Sequence, residues 1–320
     1  MRNTNIFYRF FHGFIDILLI GSKTKKLYND FFKFKSRYQL EIKKQNTIFF
    51  YKNMSFSKNE ALVEDSNRDQ KITVSLTTYG WRIDYVHLVI ESLGFQTIKA
   101  DRIVLWLSKD EFSTDSIPIM LKRMEDRGLE IGYYEDIRSY KKIIPSLENY
   151  PNNLIITADD DFLYPEYMIE KLYRAYQKES DVIHCHRGHN ILFTDKGHLK
   201  PYNNWELECL QFKSSFTIFP TSGGGTLYYP GCFSDEVTNK ELFMELCPTA
   251  DDIWLNAMTL KKGVQSKIIN RTREWREDNI DINVSNDKGL YEINKHKNDE
   301  QIKKVFDYFN LWEVFKNQPY

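Results

Sequence analysis

The chain has 320 residues, of which 42% are hydrophobic and 15% are aromatic. This length is enough for one large domain or two smaller ones, and the apolar content excludes a chain that is disordered throughout. The formal net charge of −1 excludes a protein that binds nucleic acid over its whole surface.

The N-terminal segment is basic. Residues 1–52 hold 11 lysines and arginines and three acids, a net charge of +8, and residues 10–20 are mostly apolar. This apolar run is shorter than the roughly 20 residues that span a bilayer, and no small-residue cleavage site follows it. We expect a basic helical extension over 1–70 that ends in a polar linker, 55–70. Residues 1–52 would either lie on an anionic membrane surface or pack on the next domain.

The cysteines are scattered through apolar surroundings, and none forms a C-x-x-C pair. They are Cys185, Cys209, Cys232 and Cys247. This pattern is typical of reduced core thiols and favours a reducing compartment. We therefore expect a cytoplasmic protein, peripheral on the inner face of the cell membrane if its N-terminal segment binds lipid.

Strands and helices alternate from residue 71 onward. Apolar, β-branched runs predict strands at 72–78, 102–107, 129–133, 153–158 and 181–185. Helical spacing and helix-start signals predict helices at 85–93, 119–127 and 165–178. The alternation predicts an α/β fold whose mostly parallel sheet is flanked by helices. Ligands of such sheets bind beyond the carboxyl ends of the strands.

Three aspartates, 159–161, directly follow the fourth predicted strand. Adjacent carboxylates repel one another unless a cation compensates them. Because side chains alternate along a strand, Asp159 and Asp161 project to one side and Asp160 to the other. Two carboxylates with water completing the shell suit Mg²⁺ or Mn²⁺, which can bridge to phosphate oxygens of a ligand. The alternative is an acidic turn that caps the next helix.

Three sequence segments carry a family resemblance: VSLTTYG at 74–80, D-x-x-S-Y-K-K-x-x-P-x-L at 136–147 and ITADDDFLYP at 156–165. Through them the chain resembles GT-A fold glycosyltransferases, above all the DXD-containing bacterial enzymes that build capsule or lipopolysaccharide glycans. The resemblance implies a metal-dependent transfer of a sugar from a nucleotide-diphosphate donor to a hydroxyl of a glycan or glycolipid acceptor. A UDP-sugar is the expected donor.

The resemblance also implies a domain organisation. A Rossmann-like catalytic domain would cover 71–270, with its nucleotide-binding half at 71–165 and its acceptor half at 166–270. A C-terminal helical segment, 271–320, would follow.

The resemblance assigns the donor nucleotide to residues at three strand ends: Thr77, Thr78, Tyr79, Asp110, Asp159 and Asp160. It assigns the metal, Mn²⁺ or Mg²⁺, to Asp161 and Asp159. Lys142 would contact the donor, where its charge would compensate a diphosphate. The alternative for Lys142 and the adjacent Lys141 is that both are solvated surface lysines.

Two further segments complete the predicted site. Gly224 and Gly225 would line the donor-sugar pocket, since glycine lets a ligand approach the backbone; the alternative is a plain turn. Inverting members of the resembled family carry an acidic pair before a helix, which implies Asp252 as the base that deprotonates the acceptor, with Asp251 as its partner. The alternative is a helix N-cap. The resemblance also makes His296 a candidate for the metal shell, but a solvated loop histidine is the better interpretation of this residue.

Other functions leave weaker signals. The segment 184–189, His-Cys-His-Arg-Gly-His, lacks the second ligand pair of a structural zinc site. A nucleotidyltransferase that makes sugar nucleotides would carry a glycine- and Lys/Arg-rich loop after the first strand, and residues 77–82 have too few glycines. A non-catalytic glycan-binding protein would not need the acids at 159–161 and 251–252.

Overall fold

The computed structural model describes residues 22–57, 59–269, 275–282, 294–295 and 297–316. The chain forms two compact units, residues 1–50 and residues 51–320. The predictions for the apolar run 10–20 and for His296 fall outside the described residues.

Nine α-helices and eleven strands lie within the described residues. The helices are α1 (Ser22–Ser57), α2 (Val86–Gly94), α3 (Ile119–Glu125), α4 (Ile144–Asn149), α5 (Met168–Lys178), α6 (Lys240–Leu246), α7 (Asp251–Lys262), α8 (Trp275–Asp278) and α9 (Asn298–Phe309). The strands are β1 (Ile72–Thr77), β2 (Arg102–Ser108), β3 (Leu129–Tyr134), β4 (Leu154–Thr157), β5 (Phe162–Leu163), β6 (Ile183–Cys185), β7 (Gly188–Asn190), β8 (Ile218–Pro220), β9 (Thr226–Tyr228), β10 (Ser266–Ile268) and β11 (Ile280–Asp281).

The central sheet has seven strands in the order β10-β6-β9-β4-β1-β2-β3. Its neighbouring strands are parallel except at β9, which runs antiparallel to both β4 and β6. The succession β3-β2-β1-β4 is the strand order of half a doubly wound nucleotide-binding sheet. The predicted fold class, a Rossmann-like, mostly parallel sheet flanked by helices, is confirmed.

The inner strands read as nearly continuous apolar runs because both of their faces are covered. In β1, Val74 and Leu76 are buried, and so are Thr73 and Ser75 on the opposite face. Such two-sided burial is typical of parallel strands between helical layers. β1, β2 and β4 end at Thr77, Ser108 and Thr157, so the polar residues that follow them in sequence meet at one edge of the sheet.

The stretch expected to be a linker, 55–70, belongs to the compact unit 51–320 and contacts other parts of it. Leu62 is 1% exposed, and its N–H donates to the carbonyl of Arg127 at 2.8 Å. Arg68 forms a buried ion pair with Asp101 at 2.5 Å. Residues 59–70 are therefore a largely exposed stretch without helix or strand that Leu62 and Arg68 hold against the rest of the 51–320 unit. The expected boundaries at residues 70, 165 and 270 remain predictions.

The cysteines and three of the histidines lie within the fold. All four cysteines are buried and none is part of a disulfide, as predicted for reduced core thiols. His184 and His186 each pair a ring nitrogen with a backbone carbonyl, at 2.8 and 2.9 Å, and His189 accepts from a backbone N–H at 3.0 Å. One ring nitrogen of each of these three histidines is therefore held by the backbone. Among the described residues no helix is both long and apolar enough to cross a membrane.

Candidate functional site

The aspartate turn, residues 159–161, lies between β4 and β5 and is held in place by hydrogen bonds of Tyr164. The buried Tyr164 hydroxyl accepts from the Asp159 N–H at 2.7 Å and donates to the Gly223 carbonyl at 2.6 Å. The next helix, α5, begins only at Met168 and has no side-chain cap. The aspartates therefore do not serve as a helix cap, which removes the alternative interpretation of their charge.

Asp160 faces β1 and is fully engaged by protein groups. Its Oδ2 accepts from Thr78 Oγ1 at 2.6 Å, and its Oδ1 accepts from Arg82 Nη1 at 2.7 Å. The Arg82 side chain is only 9% exposed and also reaches Asp161 Oδ2 at 3.3 Å. Burial raises the pKa of Asp160, although the guanidinium opposes this. A buried ion pair thus ties the aspartate turn to the end of β1.

Asp161 carries the least satisfied oxygen of the turn. Its Oδ1 is buried and has no hydrogen-bond partner among the described residues. Burial, followed by the charges of Asp159 and Asp160, raises the pKa of Asp161 to about 7. A buried carboxylate oxygen without a donor is unfavourable, and a bound cation would satisfy it.

Lys142 links the aspartate turn to the acidic pair. Its side chain is 7% exposed, and Nζ lies 2.8 Å from Asp159 Oδ1, 3.2 Å from Asp251 Oδ2 and 2.9 Å from Ser222 Oγ. Burial lowers the pKa of Lys142, but the charges of Asp159 and Asp251 outweigh it and hold the pKa well above its ordinary value. Lys141 is also buried and pairs with Asp136. Neither lysine is a solvated surface residue.

The acidic pair, Asp251 and Asp252, opens α7 without capping it. The N-cap of α7 is Ala250, and no side chain caps the helix. Instead, Asp252 Oδ1 accepts from the Ser222 N–H at 2.8 Å, and Ser222 Oγ donates to Asp251 Oδ2 at 3.3 Å. Burial and then the charge of Asp251 raise the pKa of Asp252 to about 6. Asp252 is therefore a half-buried carboxylate that changes charge close to neutral pH.

The glycine that contacts the aspartates is Gly223. A Cβ at this position would lie 1.6 Å from Asp159 Oδ2, so any side chain would displace that carboxylate. A Cβ on Gly224 would instead meet Arg187 at 2.5 Å. Gly225 has φ +91° and lies closest to His186 and Met168. Because of these neighbours, Gly224 and Gly225 pack toward the protein, and Gly223 forms the wall beside Asp159.

The remaining predicted donor residues lie along the ends of β1 and β2. Thr77 Oγ1 donates to the Trp106 carbonyl at 2.7 Å and so binds the two strands together. Tyr79 is exposed, with the Arg82 guanidinium 5.1 Å from its ring centroid. Asp110 is exposed on the loop after β2, and the next residue, Glu111, accepts from the Gly80 N–H at 2.6 Å. Tyr79 and Asp110 thus form an open rim beside the buried acids.

No protein-family model matches the sequence, and no curated protein matches it. Among solved structures, the chain is similar to the mannosyltransferase PcManGT from Pyrobaculum calidifontis, solved in complex with GDP-Man and Mn²⁺. The two chains are 13% identical, with a TM-score of 0.47, over 87% of this chain and 79% of that chain. A likeness at this level carries no argument about what this chain binds or transfers. The roles of the residues in this chain therefore rest on the geometry of its own site.

The site contains three residues that the sequence patterns did not indicate: Arg82, Ser222 and Asp281. Arg82 and Ser222 hold the aspartates and the acidic pair in place. Asp281 lies on β11, which pairs with β5, and the following N–H, from Ile282, donates to the Asp161 carbonyl at 2.8 Å. The charge of Asp281 adds to the burial that raises the pKa of Asp161. Only the sheet pairing brings this C-terminal residue near the aspartate turn, so no local signal reveals it.

Proposed function

We propose that this chain is a metal-dependent glycosyltransferase that moves a sugar from a nucleotide-diphosphate donor to a hydroxyl group. The observation that supports this most is the buried Lys142 ammonium between two sets of carboxylates at the carboxyl edge of the sheet. One set, Asp159 and Asp161, suits a cation and a diphosphate. The other contains Asp252, a carboxylate with a pKa of about 6. A glycosyltransferase of this kind needs a cation site for the diphosphate and a base for the acceptor hydroxyl close together.

The metal proposal rests on the donor set of the aspartate turn. Among the described residues no group of three or more His, Cys, Asp or Glu side chains could hold a metal ion. The described residues therefore do not form a site in which protein side chains alone would complete the coordination shell of a metal. Mg²⁺ and Mn²⁺ at nucleotide sites are held by one or two carboxylates together with phosphate oxygens and water. Asp161, with its unpartnered Oδ1, and the half-exposed Asp159 fit this kind of site.

When bound, a divalent cation would act as a Lewis acid that offsets charge on the leaving diphosphate. The protein's own contribution is electrostatic and positional. Lys142 stays charged within 2.8 Å of Asp159 and keeps that carboxylate in one orientation. Arg82 does the same for Asp160. A cluster preorganised in this way needs little rearrangement as charge develops on the diphosphate.

We assign the general base to Asp252. It must accept the proton of the acceptor hydroxyl as that oxygen attacks the anomeric carbon, which gives inversion at this carbon. The Ser222 N–H fixes one of its oxygens at 2.8 Å. Asp251 is buried against Lys142 and Ser222, so it positions Asp252 and raises its pKa rather than meeting the acceptor. The acceptor class we propose is a surface glycan of the capsule or lipopolysaccharide type, and the identity of the donor sugar stays open.

A donor panel tests the proposal. Nucleotide-diphosphate sugars with uridine, guanosine, cytidine and thymidine bases are titrated into the protein with Mn²⁺ or with a chelator, and slow donor hydrolysis is followed in parallel. We expect one donor to bind only with metal. Asp161→Asn should weaken that binding at least about tenfold, because a metal-bridged donor loses a direct ligand. The control is Asp126→Asn, which changes an exposed aspartate remote in sequence from the site.

The outcomes separate clearly. Metal-dependent binding that Asp161→Asn removes and Asp126→Asn retains would support the transferase and name the nucleotide. If no sugar nucleotide binds at any metal concentration, the proposed function is wrong.

A further inference from the structure

The N-terminal compact unit presents an apolar stripe along α1 that only Gln45 interrupts between Leu27 and Phe49. At about 100° per residue, six large side chains fall within an arc of about 80°. They are Leu27, Phe31, Phe34, Tyr38, Ile42 and Phe49. Each of the six is between 43% and 71% exposed. From first to last they cover about 33 Å of helix at 1.5 Å per residue.

A basic row runs along the same helix. Residues 22–50 hold eight lysines and arginines and two acids, a net charge of +6. Four of the basic residues fall within a second arc of about 40°, to one side of the apolar stripe. They are Lys26, Lys33, Arg37 and Lys44. An apolar face rich in aromatic rings beside a basic flank is typical of helices that lie in the plane of a membrane surface.

A second copy of the chain is a poorer occupant of this face. In a coiled coil the apolar seam would continue after Tyr38 at positions 41 and 45. Those positions are Glu41 and Gln45, whose side chains are exposed and hydrogen-bond to each other at 2.8 Å. Two copies would also bring together two helical segments that each carry a charge of +6. Both features oppose pairing and favour an anionic partner.

We propose that α1 docks this protein on an anionic lipid surface, with the apolar stripe among the acyl chains and the basic row at the headgroups. In this arrangement the helix lies in the plane of the surface, as helices with an apolar face and a basic flank do. This inference does not rest on the proposed sugar transfer. If both hold, the surface would place the catalytic unit beside acceptors that are attached to lipids.

Vesicle flotation of the full chain tests the proposal. One vesicle set is phosphatidylcholine alone, and the other contains phosphatidylcholine with phosphatidylserine. We expect binding to the anionic set and at least about tenfold weaker binding to the neutral set, since each basic residue near an anionic surface strengthens the interaction. The double variant Phe31→Ser/Phe34→Ser and the quadruple variant Lys26→Gln/Lys33→Gln/Arg37→Gln/Lys44→Gln should each bind at least about tenfold more weakly to anionic vesicles.

The matched control is Ile119→Ser/Tyr308→Ser, which removes two equally exposed apolar side chains from α3 and α9. It should float with anionic vesicles like the wild type. Circular dichroism shows whether α1 stays folded in each variant. The proposal is overturned if the wild type ignores anionic vesicles, or if the α1 variants bind as well as the control. It is also overturned if the Phe31/Phe34 change instead dissociates an oligomer in solution, which would make this face an interface between copies.

Discussion

Removing the charge of Lys142 is the sharpest test of the site's internal electrostatics. In Lys142→Met the apolar stem is kept and only the ammonium is lost. Lys142 and Asp251 are 7% and 9% exposed, whereas Asp159 is 38% exposed and partly screened by solvent. Taking one partner from a buried ion pair costs about 3–5 kcal/mol. A loss of about 3 kcal/mol corresponds to a fall in Tm of roughly 6–12 °C for a protein of this size.

Calorimetry at neutral pH measures this loss, with the neighbouring residue as the control. Lys141 is equally buried, but its partner Asp136 is 52% exposed. Lys141→Met should therefore cost only about 1 kcal/mol, or roughly 2–4 °C. Mn²⁺ should restore part of the lost Tm in Lys142→Met, since a cation at Asp159 and Asp161 compensates the same charge. Equal losses in the two variants, or no loss in Lys142→Met, would refute the assignment of charge compensation to Lys142.

Three further predictions concern single groups of the site. Asp252→Asn should lower the transfer rate by about 10²–10⁴-fold while donor affinity stays unchanged. The base must be ionised, and the pKa of Asp252 is raised to about 6. The wild-type rate should therefore rise with pH and level off above about pH 6. A rate that is flat from pH 5 to 8 would contradict the role of Asp252 as the base. Asp161→Asn should raise the Tm of the metal-free protein by about 2–4 °C at pH 8. Burial raises the pKa of Asp161 to about 7, so the fold loses stability as the pH rises from the ordinary carboxyl pKa to about 7, and the full loss is present at pH 8. The same variant should lose the further rise in Tm that Mn²⁺ gives the wild type, and a retained rise would place the metal elsewhere. Gly223→Ala should abolish metal-dependent donor binding, since its Cβ would lie 1.6 Å from Asp159 Oδ2. The control Gly231→Ala has open space around its Cβ but a φ of +82°, so it should lower the Tm through backbone strain and still bind donor normally in the same titration.

Five strands of the central sheet (β1, β2, β3, β4 and β6) and the aspartate turn were predictable from sequence because their signals are local, whereas the two- and three-residue strands β5 and β7–β11 were not predicted. Four-to-seven-residue apolar runs gave the inner strands, and the acids that follow β4 had to lie at its carboxyl end. The contacts of the predicted linker were not predictable, because they are not local. The polar residues of 55–70 are stabilised by partners such as Asp101, which is more than 30 residues away in sequence.

Residues whose role depends on packing were beyond sequence reasoning. Nothing local distinguishes Lys142, which is buried between two carboxylates, from an exposed lysine, and only the family resemblance pointed to it. Arg82 and Ser222 matter only because β1, β4 and β9 converge on one edge of the sheet. For the same reason the sequence pointed to the glycine run but not to Gly223 as the member that contacts Asp159.

The reversed direction of β9 has a consequence for folding kinetics. Its pairing of Thr226 with Thr157 brings Ser222 to the end of β4 across more than 60 residues of chain. Such distant pairings form late, because the entropy of loop closure is lost before the contacts form. A one-residue slip of β9 would turn its side chains to the other face and carry Ser222 away from Lys142. During refolding, helical signal should therefore return before the ability to bind a ligand, and partly folded chains would carry the aspartates without a working site.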